Sequence, residues 1–105
     1  MANTAKALFR GAATVTTTTV LYTVPASTTT VVTNVAIVNT SATAYTFTLG
    51  MGTAGANTSL HTTTAIAGNS TIYIDLKQVL VATNTITGGA SNTAVSFHIS
   101  GMEIA

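Results

Sequence analysis

Four side chains, His61, His98, Asp75 and Glu103, could do acid–base or metal chemistry in this chain of 105 residues, which has no cysteine. Imidazole and carboxylate together are competent metal donors. The positions 61, 75, 98 and 103 nevertheless match the spacing of no ligand motif. Seven serines are available as nucleophiles, but none sits in a Gly-x-Ser-x-Gly elbow that would expose it beside a base. These residues are therefore read as structural. His98 points outward from the last strand, Asp75 and Lys77 form a solvated pair on one strand face, and Glu103 keeps the C-terminal strand soluble. No catalytic, metal or cofactor residue is assigned, and no small-molecule substrate is expected.

Gly50-Met51-Gly52-Thr53-Ala54-Gly55 has the spacing of a dinucleotide fingerprint, with Asp75 twenty residues beyond. That chemistry requires a helix opening at the glycines, whose N-terminal amides hold the pyrophosphate. The residues that follow, 56–67, include four threonines and are poor helix material. A glycine-rich loop over 50–57 is expected instead. Thr-x-Thr runs at 14–18, 46–48, 62–64 and 83–87 resemble ice-binding arrays. Their irregular separation does not build a repeating lattice. Threonine is β-branched and suits a pleated sheet without further purpose.

The elements that must position these groups read as strands. Residues 5–10 make a first strand anchored by Leu8 and Phe9, and Val20 to Val24 a second that stops at Pro25. The long β-branched run 28–38 is apolar on both faces, with Val31, Val35 and Ile37 on one. Tyr45, Phe47 and Leu49 alternate with threonine, as do Ile72, Ile74 and Leu76 with Thr71, Tyr73 and Asp75. Residues 77–80 fit a single helical turn. Thr83 to Thr87 form a strand broken at Gly88-Gly89. Val95, Phe97 and Ile99 form the last inward face, and the apolar switch to Met102 and Ile104 beyond Gly101 predicts a β-bulge there. About eight short antiparallel strands, with no ten-residue amphipathic helix, predict an all-β fold: a single β-sandwich over residues 1–105, jelly-roll-like, with 1–10 as its first strand or an N-terminal arm.

Composition narrows the class further. Charged residues make up 5% of the chain, against about 25% in ordinary soluble domains, and the net charge is +1. Polarity comes from 25 threonines, seven serines and seven asparagines. High apolar content and low charge oppose disorder. Three cations are too few for the phosphate contacts of a nucleic-acid binder. No apolar run approaches a membrane span, and residues 11–19 lack a signal-peptide core. A monomer with so few charges is sticky, so a homo-oligomer or lattice subunit is expected.

Five segments carry a resemblance: Ala5-Lys6-Ala7-Leu8-Phe9-Arg10-Gly11, Leu21-Tyr22-Thr23-Val24-Pro25-Ala26, Thr30-Val31-Val32-Thr33-Asn34-Val35, the run from Ile72 to Leu80, and that from Phe97 to Ile104. Together they resemble small virion structural proteins of tailed bacteriophages. The resemblance implies a non-enzymatic component of the virion, without saying which part; the expected role is that of a capsid decoration, or cement, protein. It would be a homotrimer on the outer surface of the virion, with the major capsid protein as its partner. On that reading the capsid-facing residues are Lys6, Leu8, Phe9 and Arg10. The alternatives are a tail, baseplate or fibre-associated subunit, or a host-surface carbohydrate-binding module. Of the six aromatic residues, only Tyr73 stands clearly opposite an apolar face, where it could meet a sugar.

Overall fold

The computed structural model describes residues 3–53 and 56–105. Its eight strands are β1 (Asn3–Ala12), β2 (Val20–Thr23), β3 (Thr29–Asn39), β4 (Tyr45–Thr53), β5 (Ala56–Ile66), β6 (Ser70–Leu80), β7 (Thr85–Ala90) and β8 (Val95–Ile104). They form two four-stranded sheets of order β1-β8-β3-β6 and β2-β7-β4-β5, and every neighbouring pair is antiparallel. Successive strands cross between sheets except at the β4–β5 hairpin. This ordering is a jelly roll, two Greek keys folded face to face.

Alternation decides which side chains fill the space between the sheets. Val95, Phe97 and Ile99 of β8, Phe47, Leu49 and Met51 of β4, and Val32, Val35, Ile37, Ile66 and Ile86 share one core closed to solvent. Phe47 and Phe97 pack edge to face, with centroids 6.3 Å apart and planes at 75°, the geometry that aromatic quadrupoles favour. Ile72, Ile74 and Leu76 of β6 lie against this core as the alternation predicts.

Several expectations are corrected. Residues 50–53 continue β4 and 56–57 begin β5, with Thr53 paired to Ala56, so the loop expected over 50–57 is largely strand; Ala54 and Gly55 lie outside the described residues. Residues 77–80 extend β6, because pairing with β3 (Val31 to Val79, Thr30 to Leu80) outweighs a local helical spacing. Gly88 and Gly89 lie inside β7, as no break. A Cβ on Gly89 would come within 2.3 Å of the Thr16 carbonyl oxygen; only glycine lets the 13–19 segment rest on this strand.

The bulge predicted near Gly101 belongs to the neighbouring strands. Register slips by one residue at Leu8 in β1, opposite Ser100 and Ile99, and at Thr33 in β3, opposite Gly101 and Ser100. The Thr33 bulge inverts the parity of β3, so its buried face is Thr30, Val32, Val35, Ile37 and Asn39, and Val31 faces outward. β8 keeps its alternation through residue 103. A Cβ on Gly101 would lie 2.4 Å from the Val31 carbonyl oxygen, which is why glycine occupies the crossing point.

Candidate functional site

At one end of the sandwich, β8 carries Glu103 toward the interior rather than into solvent. Tyr22 of β2 is buried beside it, and its phenol donates to Glu103 Oε2. The Thr30 hydroxyl lies 2.9 Å from the Tyr22 oxygen. With the phenol proton committed to Glu103, Thr30 donates and Tyr22 accepts. Lys6 Nζ reaches Glu103 at 3.3 Å, the one ion pair among the described residues. Burial, then the carboxylate contact, push the Tyr22 phenol up to about 12. The Tyr22 hydrogen bond first, and Lys6 after it, hold Glu103 below the usual carboxylate value. The cluster therefore ties β1, β2, β3 and β8 together and fixes two protonation states.

The other sequence candidates are not brought together. His61 sits on β5, tilted against Phe47 at 5.5 Å. His98 projects from the outer face of β8, between Arg10 and Ala36. Asp75 forms no ion pair with Lys77; Asn34 Nδ2 donates to it at 3.5 Å across the β3–β6 pair. No group of three or more metal-ligating side chains occurs among the described residues. Among the residues expected to face a capsid, Leu8 is buried in the core, Phe9 packs against it, Lys6 holds Glu103, and Arg10 is exposed.

Two surfaces that sequence reasoning did not identify emerge from the register. Across the outer face of the first sheet, Ala5 pairs with Met102, Met102 with Val31 and Val31 with Val79. Four apolar side chains thus stand in a row about 14 Å long, three strand spacings. Val79 is 62% exposed and Met102 36%. A parallel row runs Arg10, His98, Ala36, Tyr73, and there Tyr73 is 74% exposed. No local signal reveals these rows, since each member comes from a different strand.

The second surface is a trough of about 640 Å3 on the outer face of the β2-β7-β4-β5 sheet. Thr85, Thr87 and Gly50 line its floor, Thr17 and Thr18 one wall, and Ser59, Thr62 and Thr63 the other. The β4–β5 register slips between Phe47 and Leu49, opposite residues 62–63, and Thr63 adopts φ 47°. A left-handed conformation is costly for a β-branched residue. Its amide donates to Thr48 Oγ1 at 3.1 Å, which holds the bulge in place. All five ionic side chains, Lys6, Arg10, Asp75, Lys77 and Glu103, lie on the opposite sheet.

No protein-family model and no curated protein matches the chain. Two solved structures of a pentameric capsid protein isolated from metagenomic phage sequences are similar to it in fold. One aligns at 15% identity with a TM-score of 0.40, covering 96% of this chain and 58% of its own. The other aligns at 17% identity with a TM-score of 0.42, covering 96% and 59%. The chain thus spans less than two thirds of the length of either neighbour.

Proposed function

We propose that this protein, one β-sandwich domain over residues 1–105, is a non-enzymatic structural subunit of a tailed-bacteriophage particle. It acts as a homotrimeric decoration protein on the outer face of the major capsid lattice. The observation that carries the reading is the apolar row Ala5–Met102–Val31–Val79, open to solvent on a sheet face in a chain with five ionic side chains. An apolar sheet face with so little charge to keep it in solution is a surface made to be covered. The five sequence segments that resemble phage virion proteins lie on β1, β2, β3, β6 and β8. Four of these build the sheet that carries the row.

The lattice-facing surface is then the outer face of β1-β8-β3-β6. Arg10 offers a cation at its edge, Lys6 lies beside the Glu103 cluster, and Leu8 and Phe9 anchor the strand into the core. Each contact is weak, and simultaneous engagement by several copies multiplies them. Function is mechanical: bridging subunits opposes internal pressure without touching nucleic acid.

The test is the copy number of the protein in purified particles, by quantitative mass spectrometry on separated heads and tails. Hundreds of copies tracking the major capsid protein support decoration. A few to some tens confined to the tail fraction overturn it in favour of a tail subunit. Deleting residues 2–4, of which Ala2 lies outside the described residues, and replacing Lys6 and Arg10 with Glu should lower particle occupancy; unchanged occupancy removes β1 from the contact.

A further inference from the structure

We propose that the threonine-lined trough on the β2-β7-β4-β5 sheet binds a neutral saccharide chain. Its volume of about 640 Å3 lies within the range of about 300–1,000 Å3 typical of small-ligand sites. Its lining carries seven threonines, one serine, Val20 and Gly50, with no ionic group among them. A threonine hydroxyl supplies one donor and two acceptor positions, and its γ-methyl supplies an apolar patch. A ligand built from hydroxyls on C–H faces matches both. An anionic ligand would find no cation here, because all three Lys and Arg residues are on the other sheet. A peptide strand would need a row of edge amides. The floor is instead a sheet face whose β4 and β7 backbones already pair, Gly50 with Thr87 and Gly52 with Thr85.

The site is built in advance. The Thr17–Thr18 wall is held by Thr19, whose hydroxyl donates to the Thr16 carbonyl at 3.0 Å and meets Thr14 Oγ1 at 2.6 Å. The opposite wall is the β5 bulge, where Thr63 stays at φ 47° with its amide on Thr48 Oγ1. Strain of this kind persists where surrounding structure enforces it, and ligand sites are common places to find it. With no aromatic platform, affinity per site is weak, about 1 mM. Many copies on one particle raise it by avidity. The trough lies on the face opposite the apolar row, so saccharide binding and lattice attachment are compatible, and failure of one leaves the other standing.

The experiment is a methyl NMR titration of the full chain, labelled at threonine methyls, with maltotriose, lactose and chitotriose in turn. Saturable shifts at Thr48, Thr62 and Thr87 with at least one of the three are expected. They should weaken about fivefold in Thr62→Val and in Ser59→Ala, the worth of one hydrogen bond, while the spectrum away from the trough stays unchanged. Absence of a saturable shift with all three sugars overturns the proposal. So do shifts that are identical in the two variants, or trough signals that move with protein concentration when no sugar is present, which would mean a second copy fills the trough.

Discussion

At the scale of single residues, the Tyr22–Glu103 contact sets how stability responds to pH. Glu103 is held below its ordinary value, so the stability it contributes is complete above about pH 4.5 and is lost as pH falls through its lower folded value. Tyr22 behaves in the opposite sense. Its folded value near 12 lies above the ordinary 10.0, so the unfolded chain releases the proton first and stability declines between those limits. The gap corresponds to about 3 kcal/mol. Urea unfolding across pH 8 to 12 should show that fall in the native protein and not in Tyr22→Phe. Tyr22→Phe should also cost about 1–3 kcal/mol at neutral pH, since it strips the half-buried Glu103 and the buried Thr30 of a partner. Lys6→Met should cost under about 1 kcal/mol, because Lys6 is 48% exposed and its ion pair is screened.

At the scale of elements, the strands are regular except where bulges and glycines solve packing problems. Gly89 lets the 13–19 segment lie on β7, where Ala90 N–H donates to the Thr14 carbonyl at 2.9 Å. Gly89→Ala should destabilise by about 1–3 kcal/mol, and hydrogen exchange should show the loss first at Gly88 and Ala90, whose amides bond to this segment. Thr63 gives the reverse case. Thr63→Gly should relieve left-handed strain and leave stability unchanged or raised by about 0.5–1 kcal/mol in thermal unfolding. A loss of more than about 1 kcal/mol would show that its side chain contributes more than its backbone costs.

At the scale of the whole molecule, the two sheets differ in character. One carries every ionic side chain and the apolar row, and the other presents hydroxyls. Attachment to particles through the row should depend on concentration but little on salt, since salt screens charge attraction, over about 10 Å at 0.1 M, and not an apolar contact. Sedimentation velocity at low and high sodium chloride tests this directly. Similar association in both, abolished by Val79→Glu, is the expected result; dissociation at high salt would place the contact on charged groups instead.

The sequence alone determined the class of fold. Alternation in 45–49, 70–76 and 95–99 and the spacing of turn residues are local signals, and each reports faithfully on the strand that carries it. Near-absence of charge was equally legible, because composition needs no coordinates. Tertiary structure decided the rest. The parity of β3 depends on a bulge at Thr33 that forms only against Gly101 and Ser100 of β8, and the extension of β6 to Leu80 depends on pairing with β3. Leu8, read as an anchor of the first strand, is core, and Phe9 packs half-buried against it; the slip between Ala7 and Phe9 that accompanies this is set by pairing with β8. Glu103 became a half-buried partner of Tyr22, 81 residues away. The apolar row and the threonine trough each gather residues from several strands or loops. Strand order is set by long-range packing of whole faces, and one residue's spacing from the next carries no record of it.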